Sequence, residues 1–179
     1  MRNKHRGNYS AQASIFPDSI SEVYTSVAPY VPTPLSIVRR MLELAELKPG
    51  ETIFDLGCGD GRIVLMAAKE FGAKGHGVEL IGQLVNMANR KAMALGLLDD
   101  VEFIRGNLFD VDLSSADVVT MYLMRSAMEK VRVKLEEELK PGARVVVLDY
   151  PITNGKPDDV LKIDDETRKH IIYLYVWKP

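Results

Sequence analysis

Gly57, Gly59 and Gly61 alternate with other residues in Asp55-Leu56-Gly57-Cys58-Gly59-Asp60-Gly61. Glycines at this spacing let a chain turn tightly and bring its backbone amides against a ligand. A helix-forming stretch follows at once from Arg62, so the loop ends on exposed N–H groups that favour a carboxylate. Two phosphate-binding loops look similar and fail on spacing. A P-loop ends in Gly-Lys-Ser/Thr, whereas this loop runs into Arg62-Ile63. A dinucleotide loop needs its third glycine at the sixth position from Gly57. Arg62 stands there, and the third glycine arrives one place early, which disfavours a pyrophosphate. Glu79 supplies the second element. It lies about 20 positions beyond Gly57, where a carboxylate can accept hydrogen bonds from both hydroxyls of a ribose.

These residues need a scaffold of alternating strands and helices to meet. Residues 52–56 read as a strand ending at the loop, residues 62–71 as a helix, and residues 73–79 as a second strand ending at Glu79. A helix over residues 81–95 stops at Gly96, and strands over 101–105 and 117–122 follow. Ser126 with Glu129 three residues later reads as a capping box, ahead of a buried stripe of Met128, Val131, Leu135 and Leu139. On that helix Glu136-Glu137-Glu138 reads as a solvated face. Pro141-Gly142 turns the chain into a fifth strand over residues 143–149. Two last strands, 160–163 and 170–177, are too close for a parallel crossover, so the final strand enters antiparallel. Upstream, Thr33 caps and Pro34 opens a helix with Ile37, Val38, Met41, Leu42 and Ala45 on one face, ended by Pro49-Gly50. The expected fold is a doubly wound α/β sheet with helices on both faces. Ligands bind such sheets at the carboxyl ends of the strands, where the glycine loop lies.

The remaining features narrow the class. The polar, aperiodic residues 1–20 read as a mobile arm before a single domain over 21–179. A net charge of -2 lacks the basic excess of a dedicated duplex-binding protein. Cys58 is the lone cysteine, which excludes an intrachain disulfide and fits a reducing cytoplasm. No apolar run approaches a membrane span of roughly 18 residues. The basic start Met1-Arg2-Asn3-Lys4-His5-Arg6 has no apolar signal core behind it, so the expectation is a cytoplasmic protein. His5, His76 and His170 lie far apart without zinc-type spacing, so no metal site is expected.

The run Asp55 to Gly61 resembles the first motif of class I S-adenosylmethionine-dependent methyltransferases. That resemblance implies a Rossmann-like, seven-stranded, mostly parallel sheet with an antiparallel last strand. It also implies S-adenosylmethionine as cofactor. The loop backbone from Gly57 through Cys58, Gly59, Asp60 and Gly61 would hold the methionine part. Asp55 would orient the loop and the cofactor's amino group, and Glu79, followed by Leu80, would bind the ribose. Asn107 and Leu108 match the place of the adenine contact. Many relatives carry Asp where this chain has Asn107, whose carbonyl still accepts from an adenine amino group.

A closer resemblance spans about residues 28–179. It is carried by Tyr30-Val31-Pro32-Thr33-Pro34, Val38 to Leu42, Asp55 to Arg62, Asp117 to Leu123, Leu139 to Val146 and Ile171 to Val176. These runs look like the archaeal protein lysine methyltransferases, which are related to the mitochondrial lysine methyltransferases that act on a component of ATP synthase. It implies that Val31 and Thr33 wall the cofactor and that the partner is a protein with an accessible lysine. We expect Tyr122, at the end of the fourth strand, to line the acceptor channel, with Asp149 and Tyr150 at the end of the fifth. Two other acceptors stay open on the residues alone. Base-amino methyltransferases of nucleic acids often carry Asp/Asn-Pro-Pro-aromatic where this chain has Thr120-Met121-Tyr122-Leu123, so RNA is possible but not favoured. Small-molecule enzymes commonly need a lid, for which only the N-terminal arm is available.

Overall fold

The computed structural model describes residues 30–164 and 168–178, so the arm expected over residues 1–20 lies outside the described residues. Helix α1 (Leu35–Leu44) leads into β1 (Thr52–Leu56), α2 (Arg62–Phe71), β2 (Lys74–Glu79), α3 (Gly82–Leu95) and β3 (Val101–Arg105). Then come β4 (Val118–Met121), α4 (Met128–Glu138), β5 (Arg144–Leu148), β6 (Asp159–Asp164) and β7 (Lys169–Val176). The strands form one sheet in the order β3-β2-β1-β4-β5-β7-β6. β1 to β5 pair in parallel, and β7 runs antiparallel to both β5 and β6. This is the sheet expected from the sequence. The short β6–β7 gap forces the reversal, because a parallel return needs a crossover of a dozen or more residues.

The central strands are buried on both faces and therefore read as near-continuous apolar runs. Val145 and Val147 of β5 join Phe54, Leu56, Val119 and Met121 on one face, under Met128, Val131 and Leu135 of α4. Val146 and Leu148 point the other way. They join Ile53 and Val118 beneath Ile37, Val38, Met41 and Leu42 of α1 and Ile63, Met66 and Ala67 of α2. Asp55 follows the same alternation as Ile53 and pairs with Thr120 across the β1–β4 ladder. Its carboxylate therefore enters the buried end of that second face.

Four local expectations are corrected. Thr33 does not cap α1: Pro34 holds the cap position without a side-chain bond. Thr33 is instead turned inward at 6% exposure, and its carbonyl accepts from Arg62 Nη1 at 2.7 Å. Helix α1 ends at Leu44, before Pro49-Gly50, because Glu46 adopts φ 48° and returns buried Leu47 onto the core. Ser126 lies in a 3-10 turn (Arg125–Ala127), and α4 begins after Ala127 with no side-chain cap. That turn satisfies the helix start with backbone carbonyls, and Glu129 pairs with Arg132 at 2.9 Å instead. The acidic run of α4 also divides. Glu136 and Glu137 are exposed, but Glu138 accepts from buried Lys134 at 2.6 Å and from the Leu113 amide at 2.9 Å.

Candidate functional site

Strand order reverses between β1 and β4, and a cavity of about 320 Å³ opens at their carboxyl ends. Such a switch point is where an open α/β sheet leaves a crevice for ligands. The cavity's floor and walls come from the loops after β1, β2, β3 and β4, and residues 30–33 form a strap across it.

Backbone and carboxylate together fix the glycine loop. The amides of Gly57 and Cys58 both donate to the Val78 carbonyl, at 2.9 and 3.0 Å. Gly59 donates to Glu79 Oε2 at 3.0 Å, while Glu79 Oε1 accepts from the Ile81 amide at 2.9 Å. Glu79 is thus held from both sides at the end of β2, with 9% of its surface exposed. Gly59 has φ 54°, and a Cβ there would lie 2.7 Å from the Tyr30 ring, so the strap rests directly on the loop. Helix α2 begins without a side-chain cap and without an acid in its first turn.

Two buried carboxyls and a buried thiol meet here, and their proton affinities are pushed in different directions. Burial, helped by the nearby charges of Glu79 and Asp60, pushes the Asp55 carboxyl up to about 7, against a hydrogen bond from Thr120. Thr120 Oγ1 donates to Asp55 Oδ1 at 2.8 Å. Burial also works to raise Asp60, but hydrogen bonds and charge from Arg62 and Lys91 outweigh it and hold that carboxyl below the usual range. The Arg62 guanidinium forks onto Asp60, with both bonds at 2.8 Å, and Lys91 also contacts it. Burial pushes the Cys58 thiol up, and the nearby carboxylates add to this, so it stays a thiol rather than a nucleophile.

Val31, Thr33, Asp55, Gly57, Cys58, Gly59, Asp60, Glu79, Leu80, Asn107 and Leu108 all line the cavity. Gly61 does not. It caps α2 at φ 79°, and a Cβ there would come within 2.6 Å of Phe103, so its role is helix-to-sheet packing. Asn107 Oδ1 accepts from the Phe109 amide at 3.2 Å and caps the 3-10 turn Leu108–Asp110, keeping one lone pair for a second donor. Tyr122 is on the cavity wall, whereas Asp149 and Tyr150 stand just outside it. The Tyr122 and Tyr150 rings stack with centroids 6.5 Å apart. Arg168 Nη2 donates to both Tyr122 Oη and Asp149 Oδ2, at 2.8 and 2.7 Å. His170, distant in sequence from any other candidate, is buried with Nδ1 3.5 Å from the same Asp149 oxygen. Sequence reasoning missed Tyr30, Arg62, Leu123, Arg168 and His170. Only Arg62 carried a local signal, since a cation two residues after Asp60 can reach back to it.

Comparison with known proteins gives a family and three relatives. The family model described as the ANTKMT methyltransferase domain matches residues 55–159. A protein-lysine N-methyltransferase of Saccharolobus islandicus (strain REY15A) is 44% identical over 154 residues, which is 86% of this chain and 96% of that protein. The adenine nucleotide translocase lysine N-methyltransferase of Mus musculus is 37% identical over 130 residues, covering 72% of this chain and 56% of that longer protein. Among solved structures, an RNA methyltransferase from Salinibacter ruber in complex with S-adenosyl-L-homocysteine superposes with a TM-score of 0.74 at 43% identity. That match covers 80% of this chain and 93% of the other.

Proposed function

This chain belongs to the ANTKMT methyltransferase domain family and is an S-adenosylmethionine-dependent methyltransferase, and we propose that its acceptor is the side-chain amine of a protein lysine. The cofactor suits the residues present. The cavity volume falls at the lower end of the roughly 300–1,000 Å³ typical of small-ligand sites. Glu79, its two oxygens fixed by backbone amides, would accept from the ribose hydroxyls, and uncapped amides at the start of α2 would suit the methionine carboxylate. Asp55 would meet the amino group, and Asn107 and Leu108 would border the adenine, since all three line the cavity. When bound, the cofactor supplies a methyl group already activated by a sulfonium.

The chain's own task is then to orient and desolvate. The acceptor nitrogen must reach the methyl in line with the breaking carbon–sulfur bond, and orientation supplies much of the rate. The amine must attack unprotonated. Burial beside a cationic sulfonium lowers its pKa, and water carries the proton away. No dedicated base is required. Tyr122 lines the approach, the Tyr150 ring supports it, and the Asp149 carboxylate attracts a cationic side chain. The observation that carries the lysine reading is that carboxylate, joined through Arg168 to Tyr122 on the cavity wall.

RNA methylation is a second reading, favoured by the function named for the Salinibacter ruber structure. The net charge of -2 weighs against a polyanion. Among the described residues no helix is long and apolar enough to cross a membrane. We place the reaction in the cytoplasm, where a lone reduced thiol such as Cys58 is at home. Pure protein incubated with methyl-labelled cofactor and cell extract tests the choice. Label in the protein fraction supports the lysine reading, and label in the RNA fraction overturns it.

A further inference from the structure

We infer that Arg168 is a resident stand-in for the acceptor amine. Its Nη2 fills the position between Tyr122 Oη and Asp149 Oδ2 that a lysine ammonium takes on arrival. Arg168 thereby sets how readily cationic acceptors are admitted. The inference rests on the acceptor side proposed above and names the residue that controls entry to it.

Arginine usually meets a carboxylate as a fork, with two nitrogens on two oxygens. Arg168 instead places one nitrogen on two different groups, at 2.8 Å from the phenol and 2.7 Å from the carboxylate. A primary ammonium makes the same arrangement, because all its donors sit on one atom. The remaining carboxylate oxygen, Asp149 Oδ1, is taken by the Ile171 amide at 3.0 Å. Only Oδ2 therefore faces the incoming cation.

The receiving groups are held by backbone, and the occupant is the more exposed partner of the pair. Asp149 has φ 63°, a left-handed conformation that is costly for a residue with a side chain. The Tyr150 amide donates to the Leu148 carbonyl at 2.8 Å, closing a three-residue γ-turn around it. Its own amide donates to the Ile171 carbonyl at 2.7 Å. Strand β7 thus clamps Asp149 by backbone and side chain together. The Asp149 side chain is 12% exposed, whereas that of Arg168 is 46% exposed. Solvent screens the Arg168 side of the pair, which lets another cation compete for the carboxylate. A guanidinium also stays charged and offers no lone pair, so Arg168 is an inert occupant. Exchange of one cation for another changes no bond and moves no proton. Tyr122 belongs to the cavity wall, so the exchanged nitrogen stands next to the cavity.

The test uses the full chain, isotope-labelled and saturated with S-adenosylhomocysteine, titrated with n-butylammonium as a lysine side-chain probe. The Ile171 amide signal reports on Asp149. Removing the resident cation in Arg168→Ala or Arg168→Gln is expected to tighten probe binding roughly two- to five-fold, the range supplied by an ion pair with one solvent-screened partner. Arg168→Lys restores the wild-type value. Asp149→Asn abolishes binding without disturbing the turn, because Asn tolerates the left-handed region. Equal or weaker binding to Arg168→Ala and Arg168→Gln, with binding still lost in Asp149→Asn, overturns the role of Arg168 and leaves the acceptor side standing. Undiminished binding to Asp149→Asn, or no response in any variant, overturns the acceptor side as well.

Discussion

Replacing Glu79 by glutamine changes one atom and tests both jobs assigned to that residue. In the free protein each carboxylate oxygen accepts one backbone amide, Gly59 on Oε2 and Ile81 on Oε1. A glutamine of the same shape has one acceptor oxygen and one NH₂. Whichever way it turns, one of those two amides then faces a donor in a site only 9% exposed. Leaving a buried N–H unmatched costs about 1–3 kcal/mol. For a domain of this size that lowers Tm by roughly 2–10 °C. The ribose should suffer separately. Losing one charge-assisted bond costs about 1.5–3 kcal/mol, a rise in cofactor Kd of roughly 10- to 150-fold. Thermal melts of the free protein and calorimetric titration with S-adenosylhomocysteine read the two effects independently. A variant that melts within about 1 °C of the wild type and binds within about two-fold of it refutes the assigned geometry. A lower Tm with unchanged affinity would leave Glu79 as the clamp of the loop and remove it from the ribose.

Further perturbations reach other parts of the account. The Asp55 carboxyl, pushed up to about 7 by burial, is protonated in the fold and ionised in the unfolded chain between about pH 4 and 7. Its contribution to stability is full below that window and is lost as pH rises through it. Asp55→Asn should therefore match wild-type Tm near pH 4 and exceed it above about pH 7. Equal pH profiles for the two proteins contradict this. The positive charge of the cofactor should favour the Asp55 carboxylate, so wild-type affinity rises with pH toward about 7 and the Asn variant loses that slope. Lys134→Met leaves Glu138 and the Val111 carbonyl without their buried cation, at a cost of about 3–5 kcal/mol, visible as a lower denaturant midpoint. Tyr122→Phe should lower kcat and leave cofactor Kd in place; unchanged steady-state kinetics take Tyr122 out of the acceptor path.

The sheet was legible in the sequence because its central strands are buried on both faces and so read as continuous apolar runs. Val145 to Leu148 and Val118 to Met121 could be nothing but central strands, and the short spacing before residue 170 required the antiparallel return. The cofactor side was legible for a related reason. Gly57, Gly59 and Glu79 act through neighbouring backbone, so their spacing along the chain carries their geometry. Caps were harder to read. Thr33 and Ser126 are good cap types, but tertiary contacts claimed the Thr33 carbonyl and a 3-10 turn replaced the Ser126 box. The acceptor side was hardest, because Arg168 and His170 reach Asp149 only after β7 folds back against β5. No local pattern announces such a contact, and three histidines scattered along a chain gave no reason to single one out.

The central claim is transfer of a methyl group to a lysine amine. It is tested most directly by incubating the purified chain with methyl-labelled S-adenosylmethionine and a mixture of unfolded protein and total RNA, then locating the label by tandem mass spectrometry. The account predicts label on lysine Nζ, and loss of it in Asp149→Asn. Label confined to RNA, or to protein side chains other than lysine, would contradict it.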